Sequence, residues 1–100
     1  MKNQNSKPES DFYHNLPLDD EHCHILIDFD EKVVTFHRLK ETIEMTGAAI
    51  LEIITLREDP EGNKSILIRL ETQDVRNVVL TVSKFPLNRI QGYNSKKNFG

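Results

Sequence analysis

His22-Cys23-His24 is where side chains of metal-ligating type stand in a row. On an extended strand successive side chains alternate between faces, so His22 and His24 point one way and Cys23 the other. Two imidazoles so placed are close enough to share a transition-metal ion, and Asp28, His37 or His14 would have to complete the set. The competing reading makes Cys23 a small core residue and leaves both histidines on a solvated face. Asp28, Asp30 and Glu31 form an acidic run, but without the glycine and spacing of a calcium loop. That run reads as the solvated start of a helix.

Arg69, Glu71, Arg89, Gln91 and Tyr93 are expected to share a sheet face with His22 and His24. RNA-binding sheets stack bases on aromatics of their central strands. The matching positions here are Leu67 and Arg69, so nucleic acid is not expected as a partner. No phosphate-cradling glycine loop, glycine-flanked serine or catalytic carboxylate pair is visible. Neither an enzymatic role nor a cofactor is expected.

The 100 residues carry a net charge of −3 and one cysteine. One domain is expected, with a core close to marginal size, so pairing with a second copy would add useful burial. The acidic balance argues against non-specific phosphate binding. A lone cysteine permits no internal disulfide and suits a reducing, cytoplasmic setting. No apolar run approaches the roughly 20 residues that span a bilayer, and residues 1–10 lack the apolar region of a signal peptide.

The elements that must position these groups follow from periodicity. Residues 1–20 read as a polar tail or linker in which Phe12, Tyr13, Leu16 and Leu18 could dock on the domain as an added edge strand. Residues 21–93 form the domain, and 94–100 a polar tail. A first strand spans about 22–29, with Cys23, Ile25, Ile27 and Phe29 facing the core and His22, His24, Leu26 and Asp28 facing out. A helix over 32–46 is capped by Asp30 and carries a stripe of Val33, Phe36, Leu39 and Ile43. Gly47 ends it in a left-handed turn.

Strands over 49–57 and 64–72 flank the turn Glu58-Asp-Pro-Glu-Gly-Asn63 and form a hairpin. Ile66, Ile68 and Leu70 face the core, while Leu67, Arg69 and Glu71 face a partly wet side. A second helix over 74–84, capped by Thr72 or Asp74, buries Val75, Val78, Val79 and Val82. Phe85-Pro86 stops it, and Leu87 to Tyr93 forms a last strand. The order βαββαβ predicts an α+β ferredoxin-like sandwich, with a four-stranded antiparallel sheet and two helices on one face.

With the elements in place, Thr46-Gly-Ala-Ala-Ile-Leu-Glu-Ile53 resembles the start of the second strand in ACT domains, which are ferredoxin-like regulatory modules. The turn Asp59-Pro-Glu-Gly62 and the strand Ile66-Leu-Ile-Arg-Leu70 fit as well. Leu70-Glu-Thr72 is similar to the step into the second helix in ACT units that follow paired CBS domains in acetoin-utilisation-type regulators. The resemblance covers about residues 22–93. It implies a homodimeric regulatory module that senses a small molecule, in this family typically an amino acid. Its ligand place would be the loop of Asp28, Asp30 and Lys32 facing Gly47, Ala48 and Ala49 across a subunit interface. ACT loops usually carry a glycine there. Asp28-Phe-Asp-Glu-Lys32 has none, and its acidic bulk would crowd a carboxylate ligand, which shifts weight towards dimerisation. Two other readings stand beside this one: a transition-metal sensor using His22 and His24, and a plain interaction domain.

Overall fold

The computed structural model describes residues 16–95. The chain runs β1 (Cys23–Asp30), α1 (Phe36–Met45), β2 (Ala49–Glu58), β3 (Asn63–Glu71), α2 (Val75–Val82) and β4 (Arg89–Tyr93). The strands form one antiparallel sheet in the order β2-β3-β1-β4. This is the expected ferredoxin-like α+β fold. Leu39 and Ile43 of α1 and Val75, Val78 and Val82 of α2 pack with Cys23, Ile25, Ile27 and Phe29 of β1 and Ile66, Ile68 and Leu70 of β3. Each such leucine or isoleucine contributes roughly 2 kcal/mol by leaving water.

Helix α1 starts later than the sequence suggests. The Asp30 carboxylate accepts the Lys32 amide at 2.9 Å. Its carbonyl takes the amides of Val33 and Val34 at 2.8 and 3.1 Å. A short side chain that bonds its own backbone two residues on builds a turn rather than a cap. Thr35 caps the helix instead, extended at φ −83° and accepting from the Arg38 amide. The shift rotates the stripe, so Val34 is buried and Val33 is 59% exposed. Asp74 caps α2 as expected. Gly47 and Gly62 take φ of 94° and 102°, where only glycine is unstrained.

Strand β2 is continuous in sequence but not in register. Its pairing with β3 slips between Ile50 and Glu52 and again between Thr55 and Arg57. Leu51 and Leu56 are therefore extra residues, bulged out of the ladder.

The face turned away from the helices departs from expectation. Its pairings form three rows across the sheet: Arg57–Ser65–Asp28–Arg89, Ile54–Leu67–Leu26–Gln91 and Glu52–Arg69–His24–Tyr93. His24, Leu26, Asp28 and Leu67 do take this face, as expected, but the solvent contact expected of them there does not hold. Leu26 and Leu67 are 0% exposed, His24 is 1% and Asp28 is 8%. Alternation along a strand reports which side a residue takes, not whether that side is wet.

The proposed docking of Phe12 and Tyr13 lies outside the described residues. Leu16 is half-buried and Leu18 largely exposed. Among the described residues no helix is long and apolar enough to cross a membrane, which says nothing of a β-barrel.

Candidate functional site

Three groups of polar residues stand out. The first joins the β1–α1 loop to the β2–β3 hairpin. The Glu31 amide donates to the Gly62 carbonyl at 2.9 Å. One Glu31 oxygen lies 2.7 Å from Lys64 Nζ. The other accepts the Phe36 amide at 2.9 Å. Lys64 also lies 3.7 Å from Glu58. The Lys64 ammonium, and next the Phe36 amide, hold the Glu31 carboxyl below its ordinary value, and Glu31 in turn raises Lys64. A Cβ on Gly62 would stand 3.1 Å from an Asp30 oxygen and 3.4 Å from Lys32 Cε. Asp30 and Lys32 therefore belong to one compact knot in which Glu31 takes the first amide of α1, that of Phe36. Asp28 turns instead to the far sheet face.

The second group lies at the other end of α1. A 10-residue helix is about 15 Å long, and it separates Asp30 and Lys32 from Gly47, Ala48 and Ala49 within one chain. Thr46 donates its hydroxyl to the Ile43 carbonyl at 2.6 Å and accepts the Ala48 amide at 3.4 Å. An open cleft of about 640 Å³ lies here, lined by Thr46, Gly47, Glu71, Thr72, Asp74 and Asn77 among others. Ala48 is buried and Ala49 exposed.

The third group is built on Asp19, which sequence reading left in the tail. Its Oδ1 accepts the amides of Glu21 and His22, both at 2.8 Å. His22 Nδ1 lies 3.1 Å from the same oxygen. Oδ2 lies 3.0 Å from Arg69 Nε and 3.7 Å from His24 Nε2, and Arg69 reaches on to Glu52 at 2.6 Å. His22 and His24 thus do converge on one carboxylate, with a guanidinium against it. Among the described residues no three ligating side chains are disposed to hold a metal ion. Partial desolvation pushes the Asp19 carboxyl up, but the two amides and the His22 ring outweigh it and hold the group below its ordinary value.

Burial dominates at His24 and lowers its pKa below 6.5; Asp19 opposes this, while Arg69 and His22 add to it. Its Nε2 makes no hydrogen bond among the described residues. The sign follows. The unfolded chain takes up a proton near 6.5 and the folded chain resists it, so this contribution is complete above that pH and is lost as pH falls. Urea unfolding between pH 7.5 and 5 is expected to show stability declining with acidity. Most of that slope should vanish in His24→Asn, and an unchanged slope would refute the assignment.

Sequence reasoning missed Asp19 and Lys64. Asp19 reads as one more polar residue before a strand, and its partner Arg69 lies far along the chain. The Glu31–Lys64 pair had a weak signal, since the hairpin turn and the first loop must share one end of this topology.

No protein-family model and no curated protein sequence matches the chain. Among solved structures it is similar to the C-terminal domain of the MgtC protein from Mycobacterium tuberculosis, with TM-score 0.54 and 12% identity, over 81% of this chain and 95% of that one. At that identity the likeness is one of fold: a small ferredoxin-like α+β domain.

Proposed function

We propose that this chain is a non-catalytic, cytoplasmic, ACT-like regulatory module whose working unit is a homodimer paired through β2. The observation that carries the reading is the edge itself. β2 is a 10-residue outer strand, Ala-Ile-Leu-Glu-Ile-Ile-Thr-Leu-Arg-Glu, with no strand beyond it in the described sheet. Leu51 on it is 46% exposed. A long apolar edge is a template for another strand, and a domain of this size gains from the added burial.

Such pairing also accounts for a split binding place. Two antiparallel copies of β2 related by a two-fold axis near Ile53 and Ile54 set Ala49 opposite the partner's Glu58. Gly47, Ala48 and Ala49 of one copy then lie beside the partner's hairpin, to which the Asp30–Lys32 loop is tied. Residues far apart in one chain become neighbours across the interface. A small-molecule effector, an amino acid in the resembling family, would sit there.

Sedimentation velocity across the micromolar range tests the dimer. The natural chain is expected to dimerise with concentration, and Leu51→Lys to stay monomeric with an unchanged circular dichroism spectrum. A natural chain that stays monomeric throughout, or a variant that dimerises equally well, overturns the edge. A thermal-shift series with amino acids then separates the two roles. A selective rise that Ala49→Arg abolishes supports sensing, and a dimer that answers to none leaves an interaction module.

A further inference from the structure

We propose that the outer surface of α2 and the turn after it dock an acidic peptide segment of a partner protein, one that offers a single aliphatic or aromatic side chain. The place lies on the helix layer and uses neither the β2 edge nor Gly47 to Ala49, so it goes beyond the pairing proposed above.

Charge singles out this stretch. From Val75 to Asn88 the chain holds Arg76 and Lys84 and no carboxylate, within a sequence of net charge −3. No ion pair among the described residues engages either cation, or Arg38 of α1. The acidic residues of α1 and its lead-in answer other groups: Glu31 takes Lys64 and the Phe36 amide, Glu41 takes His37 and Glu44 takes Lys40. By contrast, Lys40, Lys64 and Arg69 each have a carboxylate within their own domain. Three cations left over at one end of the helix layer complement an acidic partner.

Shape supplies the anchors. Leu80 stands 61% exposed on α2, one helical turn from Arg76, and Lys84 follows in the turn after the helix. Beyond that turn Val33, Val34, Thr35, Arg38, Phe85 and Pro86 line a crevice of about 190 Å³. The Arg38 guanidinium lies 5.7 Å from the centre of the Phe85 ring, which sets a charge at the lip of an otherwise mostly apolar hollow. Pockets for drug-sized ligands run to about 300–1,000 Å³, so this one suits a single side chain. It owes its Val33 wall to the turn at Asp30, which delays α1 and leaves that valine outside the core. A lone exposed leucine is ordinary; one set between unneutralised cations and beside an apolar crevice makes an anchor and its rim. A lipid surface fits less well. A helix lying on a membrane needs a broad apolar face, and Leu80 is the one large apolar side chain that α2 exposes.

The test selects short random peptides, displayed on phage, against the full chain. The enriched peptides are expected to carry several aspartates or glutamates around one leucine, isoleucine or phenylalanine. The best of them, synthesised, should bind more weakly as salt is raised and should shift the amide resonances of Arg38, Leu80 and Lys84. Leu80→Ser should cost about tenfold in affinity, the worth of one leucine covered on binding. Arg76→Glu/Lys84→Glu should abolish binding of the acidic peptide and create binding for its lysine-substituted counterpart. All three positions are exposed, so these variants are expected to keep the natural circular dichroism spectrum. Enrichment of no acidic class, resonance shifts that map elsewhere, or affinity indifferent to Leu80→Ser overturns the inference. A chain that binds phosphatidylglycerol vesicles but no selected peptide assigns the face to a membrane and overturns it as well. So does loss of self-association in Leu80→Ser, which assigns the face to a second copy. Leu51→Lys should leave peptide binding intact, which keeps this result separate from that of the β2 edge.

Discussion

Leu67→Ala is expected to lower the stability of the domain by about 3 kcal/mol, the usual cost of a buried leucine truncated in a core. The melting temperature should then fall by more than about 10 °C for a domain of this size. Leu67 lies on the face away from both helices and is 0% exposed. A leucine on a wet sheet face would lose little on truncation, within roughly 0.5 kcal/mol. Leu51→Ala, at a 46% exposed bulge, supplies that comparison in the same strand pair. Calorimetry or urea unfolding of the two variants separates the cases. Equal, small effects would mean that the far face is open to water.

Gly92→Val is expected to have an effect of similar size by the opposite route. A Cβ at Gly92 would stand 2.8 Å from a Val79 methyl and 3.5 Å from a Val75 methyl. Both valines belong to α2, where a β-branched side chain has one strongly preferred rotamer and cannot turn aside. The helix must lift from the sheet or β4 must peel away. Overpacking of this kind costs about 2 kcal/mol for alanine and more for valine. Val79→Ala should recover part of the loss when combined with Gly92→Ala, because the two sites share one contact. Additive effects in the double variant would place the strain elsewhere.

Much of the fold was legible because local signals agreed with one another. The alternation of Cys23, Ile25, Ile27 and Phe29, the valine stripe of α2 and the helix-ending Gly47 each mark an element. The errors arose where two local preferences competed or where the deciding partner was distant. Asp30 can cap a helix or bond its own turn, and the sequence does not show which amide it will meet. The row of His24, Leu26 and Asp28 looks amphipathic, and its burial depends on what lies over it. The slips in β2 cannot be read from Ile50 to Leu56, where five apolar residues around Glu52 and Thr55 fit no single alternation. Asp19 could not be found at all, because its meaning comes from Arg69 on another strand.

The paired slips in β2 bear on how an exposed edge strand can be kept from open-ended stacking. Extra residues at 51 and 56 sharpen the local twist on either side of a short, regular stretch from Glu52 to Thr55. That stretch is the regular centre about which the proposed pairing of two copies turns. A closed pair can use it once on each side, whereas an amyloid-like stack would need a long straight rail. In the proposed dimer, kinks of this kind would leave the border one companion and no straight rail along which a fibril could grow.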